Sequence, residues 1–173
     1  MLLTANLLVI LKQASLALAM ALLLATTASA ARVFEPKAGS ADYLSIMAVH
    51  KNSELADQQI EPYKVVLINM AHTRKISIAY VDARATGDDL VVFEQVLIRK
   101  RGGAWQSVWR NGSGGSNECA EGIKHYSKII RFVRQRGIDS RKLLPGFQDT
   151  LANARKGIEC SFGEFEINAA IVK

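Results

Sequence analysis

Four strand-forming segments within residues 63–110 constrain the fold of this chain more than any other feature. Each segment is dense in Val, Ile, Leu, Tyr, Phe or Trp, and turn or polar residues separate it from the next. The spacers are too short for a parallel crossover, which needs a dozen residues or more, so we expect antiparallel neighbours. The predicted strands are residues 63–70, 75–82, 90–100 and 104–110.

The order of apolar residues indicates how these strands are covered. Residues 65–68 are all Val, Leu or Ile, so both faces of the first strand are apolar and we expect packing on both sides. Before the last strand, Arg101-Gly102-Gly103 supplies the positive φ angles of a tight hairpin. Trp105 and Trp109 are spaced to share one face of that strand, where we interpret them as core anchors; an aromatic ligand platform is the alternative.

The first thirty residues are predicted to be a signal peptide. Lys12 is their only charged residue, residues 14–25 are apolar, and Ala28-Ser29-Ala30 fits the small-x-small site of a signal peptidase. The apolar run is short for a membrane span, and an uncleaved anchor is the alternative. Cleavage after Ala30 leaves a single domain, residues 31–173, in the periplasm or outside the cell, with membrane contact only through the leader before cleavage.

A helix is predicted before the sheet in the chain. Ser40 can cap it, Asp42 lies in its first turn, where the helix dipole favours an acid, and it runs to about Gln58. We interpret His50, which lies beside the apolar stripe, as a surface or boundary residue. The stripe expected to pack on the sheet is Leu44, Met47, Ala48, Lys51 and Leu55.

Further helices and a last strand are predicted after the sheet. A second long helix covers residues 118–136, a short one covers residues 148–155, and the final strand carries Cys160. The buried stripe of the long helix is predicted to be Ile123, Tyr126, Ile130 and Val133.

The excess positive charge of the protein is concentrated in the second helix and the residues after it. Residues 124–142 contain seven Lys or Arg and one acid, a net charge of +6, whereas the mature chain totals +5. This asymmetry indicates an anionic partner, such as an envelope component or an acidic protein; a solvated helix face is the alternative. No aromatic residue interleaves the basic positions on that face of the helix, which disfavours nucleic acid. The candidate binding residues are Lys124, Lys128, Arg131 and Arg134.

The two cysteines, Cys119 and Cys160, are predicted to form a disulfide. An even count in an exported chain is typical of pairing in an oxidising compartment, although two separately buried thiols are the alternative. Neither cysteine has a Cys-x-x-Cys partner or an adjacent His, so we predict no catalytic role for them.

Sequence signatures of catalytic sites are absent. There is no HExxH, GxSxG or Walker motif and no metal-spaced Cys/His cluster, so we predict no cofactor and no metal. His72 and His125 have no neighbour in sequence that would orient them as general bases. Asp82 and Glu94 are candidates for a pocket with Trp105 and Trp109, although one acid on a strand is ordinarily exposed to solvent.

The segment LIRKRGGAW, residues 97–105, follows a helix and antiparallel strands and resembles small exported bacterial proteins of unknown function. Its strand pair is similar to that of the cystatin-like and NTF2-like α+β folds, and FEPKAGS at residues 34–40 is similar to the way such exported proteins begin. The resemblance covers residues 34–110. Those folds usually place more helix before the sheet, whereas here the basic helix and the Cys160 strand follow it. NTF2-like folds host enzymes, binding modules and scaffolds, so the resemblance implies a fold and leaves the function open.

We therefore expect one α+β domain, in which a curved antiparallel sheet of four to five strands packs against an N-terminal helix and is followed by a basic helix. The leading functional hypothesis is a non-enzymatic binding protein of the bacterial envelope that recognises an anionic partner through that helix. A second hypothesis is an NTF2-like enzyme or small-ligand binder, with a pocket between the sheet and the first helix. A third is a secreted inhibitor or immunity protein that uses the hairpin tip at residues 99–103.

Overall fold

The computed structural model describes residues 31–55, 63–85, 92–112, 118–158, 160 and 162–172. The predicted signal peptide and the predicted end of the first helix at Gln58 lie outside these residues. In chain order the elements are β1 (Val33–Phe34), α1 (Ala41–Leu55), β2 (Tyr63–His72), β3 (Ile76–Ala85), β4 (Val92–Lys100), β5 (Trp105–Gly112), α2 (Cys119–Arg134), α3 (Ser140–Leu143), α4 (Phe147–Arg155) and β6 (Glu164–Ile167).

The strands in the described part of the chain form one six-stranded sheet in the order β1-β2-β3-β4-β5-β6, with every neighbouring pair antiparallel. The predicted α+β class and antiparallel pairing are confirmed. The strand count exceeds the predicted four to five because the short strand β1, which was not predicted, pairs with β2 at one edge. The final strand, β6, pairs with β5 at the other edge. The final strand was predicted to carry Cys160, but it starts at Glu164, so Cys160 precedes it.

Helices cover both faces of this sheet. One face packs against α1 through a cluster that includes Ile46, Met70 and Leu97, all fully buried. The opposite face packs against α2, α3 and α4 through a larger cluster that includes Trp109 and Phe147. Burial of apolar surface on both faces is the main force that holds the three layers together. The prediction placed the N-terminal helix against the sheet and a basic helix after it in the chain; the structure also packs that basic helix, α2, against the sheet.

The predicted packing stripe of α1 is wrong by one position. Leu44 is 58% exposed and Lys51 is exposed, whereas Ile46 and His50 are 0% and 2% exposed. Interpreting His50 as a surface or boundary residue is also wrong. Its Nδ1–H donates to Gln95 Oε1 on β4 at 3.1 Å, and this hydrogen bond satisfies the buried imidazole. The side chains that lie against the sheet are Tyr43, Ile46, Met47, Val49 and His50.

Trp105 and Trp109 lie on opposite faces of the sheet, which corrects the prediction that they share one. The register between β4 and β5 shifts where Trp109 pairs with Val96 and Ser107 pairs with Leu97, so one residue of β5 is extra. Such a bulge reverses the alternation of side chains beyond it. Trp105 therefore packs with α1, and Trp109 packs with α2 and α4. Both are buried core residues, as interpreted from the sequence.

The structure pairs Cys119 with Cys160 in a disulfide, with a Cα–Cα distance of 4.5 Å. It joins the first residue of α2 to the segment that leads into β6. This pair fits an oxidising compartment. Within the described residues, no helix is both long and apolar enough to cross a membrane.

Candidate functional site

Helix α2 is held rigidly against the sheet. Tyr126, Ile129 and Val133 recur at helical spacing and are buried, and Gly122 lies so close to Phe162 that a Cβ there would overlap its ring. The disulfide at Cys119 fixes the amino end of the helix. The predicted buried stripe is confirmed, with Ile123 only partly buried. The opposite face of the helix is consequently directed to solvent.

The basic face of α2 consists of Lys124, Lys128, Arg131 and Arg134. Lys128 is half-buried and the other three are exposed. The residues from 124 to 134 span about 15 Å along the helix axis. Among the described residues none of Lys124, Lys128 and Arg131 forms an ion pair. Arg134 instead donates through Nε to Ser140 Oγ at 2.9 Å, which connects α2 to the start of α3.

His125 lies at the border of this basic face. Its ring stacks on Phe165 with centroids 4.5 Å apart, and its Nε2 lies 3.9 Å from a carboxylate oxygen of Glu121. Burial lowers the pKa of His125, as do Lys124 and Lys128, while Glu121 raises it by a smaller effect than burial. The neutral imidazole therefore adds no charge to the basic face at neutral pH.

A second cluster of polar side chains lies on three neighbouring strands of the sheet. Asp82, Glu94 and Asn111 are direct cross-strand neighbours on β3, β4 and β5. The Glu94 carboxylate accepts hydrogen bonds from the Tyr80 hydroxyl at 2.8 Å, the Tyr126 hydroxyl at 3.0 Å and Asn111 Nδ2 at 3.1 Å. Burial raises the pKa of Glu94, although these three donors favour the ionised form and partly oppose the effect.

Asp82 completes this group without a comparable set of donors. Its Oδ2 lies 3.8 Å from Arg84, and its buried Oδ1 has no hydrogen-bond partner in the described part of the chain. Burial raises its pKa and Arg84 lowers it by a smaller effect. Two neighbouring carboxyl groups in a desolvated site can share a proton.

The four residues predicted to line a pocket do not form one site. Asp82, Glu94 and Trp109 lie on the face covered by α2 and α4, whereas Trp105 lies on the α1 face. The predicted pocket between the sheet and α1 therefore cannot include the two acids. The ordinary expectation that both acids are exposed is wrong as well, since Glu94 is enclosed by Tyr80, Tyr126 and Asn111.

A groove of about 510 Å³ lies at one end of the sheet. The β2–β3 turn and the β4–β5 turn form its walls, because alternate connections of an antiparallel meander fall at the same end. Its described lining includes four basic residues and no acid; the basic residues are Arg74, Lys75, Arg99 and Arg101. The hairpin tip at residues 99–103 thus lines a concave surface.

Arg99, one of the lining residues of this groove, is held in place by its neighbours. Its guanidinium donates to Asp42 Oδ1 at 2.6 Å and lies 4.6 Å from the centre of the Trp105 ring. Trp105 Nε1 in turn donates to Ser45 Oγ at 3.0 Å. Asp42 also lies 3.6 Å from His72 Nε2. The first turn of α1 therefore positions the basic end of β4.

Two basic turns in the sequence could have predicted this groove. The turns Thr73-Arg74-Lys75 and Lys100-Arg101-Gly102 are both basic, and they are separated by two strands. Strands that pair in sequence order bring such turns together at one end of the sheet.

Among the described residues, no three His, Cys, Asp or Glu side chains are grouped as metal ligands. No family model, curated protein or solved structure matches this chain.

Proposed function

We propose that this protein is an exported, non-enzymatic binding protein of the bacterial envelope, which recognises an anionic partner through the basic face of α2. The observation that carries this proposal is the run of exposed Lys124, half-buried Lys128 and exposed Arg131, without ion pairs in the described structure, on a helix that is fixed to the core. Cations left without internal acid partners are available to an external anion.

The rigid attachment of α2 favours recognition over mere solubility. A binding surface that is already ordered does not lose backbone entropy when a partner docks. Clustered charges of one sign also accelerate encounter with a partner of opposite charge. The disulfide and the Gly122–Phe162 packing supply that order at the amino end of the helix.

The close packing of aromatic side chains on both faces of the sheet supports surface recognition over catalysis. Tyr80, Phe93, Trp105 and Trp109 are between 0% and 9% exposed and occupy the space on the two faces. Trp109 alone contacts the rings of Tyr126, Phe147 and Phe165. Ligand pockets generally need a concave space of several hundred Å³, and aromatic packing of this kind occupies it.

The test is binding of the purified protein to immobilised polyglutamate and to phosphatidylglycerol vesicles over a series of salt concentrations. Lys128→Glu with Arg131→Glu is expected to abolish the salt-sensitive binding. The matched control, Lys37→Glu with Lys51→Glu, changes the net charge equally at exposed positions outside α2 and should retain most of it. Unchanged binding by the α2 variant would refute the proposal.

A second candidate function is an enzyme or small-ligand binder of the NTF2-like kind. The observation that favours it is the pair of enclosed carboxyl groups, Asp82 and Glu94, whose pKa values are both raised by burial. It predicts that Asp82→Asn abolishes turnover or ligand binding while the far-ultraviolet circular dichroism stays unchanged.

The third hypothesis is a secreted inhibitor or immunity protein. It requires a partner enzyme that this protein inhibits, and it predicts that Arg101→Glu abolishes that inhibition.

A further inference from the structure

We propose that the groove between the β2–β3 and β4–β5 turns is a second binding site, which takes a small ligand bearing phosphate groups. This inference is independent of the function proposed for α2. Helix α2 packs on one face of the sheet. His72, Ser77 and Arg99, which line the groove, lie on the opposite face, the one that carries α1.

The walls of the groove are ordered before any ligand arrives. Thr73 Oγ1 accepts from the backbone N–H groups of Lys75 and Ile76 and donates to the carbonyl of Ile76, which closes the first turn. The backbone N–H of Arg101 donates to the carbonyl of Lys75 at 3.1 Å and ties the second turn to the first. The basic side chains therefore extend from a backbone whose two turns cannot separate freely.

The charge of the groove selects an anion. Arg74, Lys75 and Arg101 are exposed and have no ion pair among the described residues, since Asp42 contacts Arg99 and His72 instead. A guanidinium group presents N–H donors in a fork that matches two oxygens of a phosphate. Three arginines and a lysine around one concave space suit a ligand with more than one phosphate oxygen pair.

The shape of the groove favours a small ligand over a protein surface. Its volume of about 510 Å³ lies within the range of small-molecule sites, roughly 300–1,000 Å³. Within this lining the guanidinium of Arg99 is already held in place by Asp42 and Trp105.

Calorimetric titration of the purified protein with pyrophosphate at constant ionic strength tests the proposal. The wild type is expected to bind saturably. Arg74→Ser with Arg101→Ser should weaken the affinity about tenfold or more, because hydrogen bonds to charged groups are among the strong ones. The matched control, Arg155→Ser with Lys156→Ser, removes two exposed charges at the end of α4 and should bind as the wild type does.

Three results would overturn the proposal. They are the absence of saturable binding, equal weakening in both variants, and loss of affinity only when Lys128 and Arg131 are replaced by Ser. Vesicles of phosphatidylcholine with and without phosphatidylglycerol separate the sources of the phosphate. Competition of pyrophosphate by the anionic vesicles, lost in the groove variant, assigns a lipid headgroup, whereas no competition assigns a soluble ligand.

Discussion

The Tyr80 hydroxyl donates a hydrogen bond to Glu94 at 2.8 Å, and together they place an ionisable pair inside the face of the sheet that α2 and α4 cover. Burial, reinforced by the Glu94 charge, raises the pKa of Tyr80, so the phenol keeps its proton at any physiological pH and stays a donor. Glu94 is the member of the pair whose charge can change. The pH dependence of stability should therefore report on this carboxyl group.

The free energy of unfolding of the Glu94→Gln variant is expected to fall less than that of the wild type as the pH rises. Because the pKa of Glu94 is raised on folding, its contribution is fully present below about pH 4.5, the ordinary value, and is lost as the pH rises through the folded-state pKa. Each unit of difference in pKa corresponds to about 1.4 kcal/mol. Urea unfolding at pH 4 and pH 8 measures the effect. If the difference between variant and wild type is equal at both pH values, Glu94 does not titrate as described.

His50 should act with the opposite sign. Burial lowers the pKa of this residue, and the Gln95 hydrogen bond raises it by a smaller effect. Its contribution is therefore present above the ordinary pKa of 6.5 and is lost as the pH falls through the folded-state value.

His50→Gln keeps a neutral polar group at this position and cannot become charged. We expect it to be less stable than the wild type at pH 8, by roughly 1–3 kcal/mol, because packing beside Phe93 and the bond to Gln95 are disturbed. At pH 5 this gap should narrow. Thermal unfolding at the two pH values provides the comparison, and a gap that widens at pH 5 would contradict the assigned direction.

Removal of the disulfide by Cys119→Ser with Cys160→Ser should lower the free energy of unfolding by about 4 kcal/mol on the chain-entropy model. The two residues are 41 positions apart, so the bond restricts a long loop of the unfolded chain. Urea denaturation under oxidising conditions measures the change. Wild type unfolded in the presence of a thiol reductant is the control, and it should lose a similar amount. Equal stability of the oxidised wild type and the double variant would contradict a stabilising bond.

The success of sequence analysis differed between the two long helices for a physical reason. In α2 the charges of Lys124 and Arg131 leave only one face that can be buried, so the periodic pattern is unambiguous. In α1 two stripes that differ by one position compete, and the correct one contains His50. That residue is acceptable in the interior because it finds polar partners there, among them Gln95, 45 positions away, which accepts its hydrogen bond. Local sequence carries no signal for such a partner.

Two further features, the bulge in β5 and the basic groove, were not predicted because they also depend on tertiary structure. The bulge in β5 places Trp105 and Trp109 on opposite faces, and its extra residue, Val108, is flanked by no glycine or proline that would mark it in the sequence. The basic groove depends on which turns share an end of the sheet, which requires the order of all strands. The paired cysteines were predictable because the chain has only two, and the predicted signal peptide favoured an oxidising compartment.

Gly163→Ala is expected to destabilise the protein more strongly than an ordinary surface change. A Cβ at residue 163 would overlap the carbonyl oxygen of Gly112 and approach the side-chain oxygen of Asn111. Both neighbours belong to β5, the strand that pairs with β6, and a backbone carbonyl cannot rotate away as a flexible side chain can. The strands must therefore separate locally, at a cost of about 1–3 kcal/mol or more.

Gly103→Ala is the matched control for that substitution. A Cβ at Gly103 would meet the carbonyl oxygen of Lys100 at 3.4 Å, an ordinary contact, so we expect a change within about 0.5 kcal/mol. Urea unfolding of both variants beside the wild type makes the comparison. If Gly163→Ala unfolds at the same urea concentration as Gly103→Ala, then β6 does not pack on β5 as closely as the structure places it.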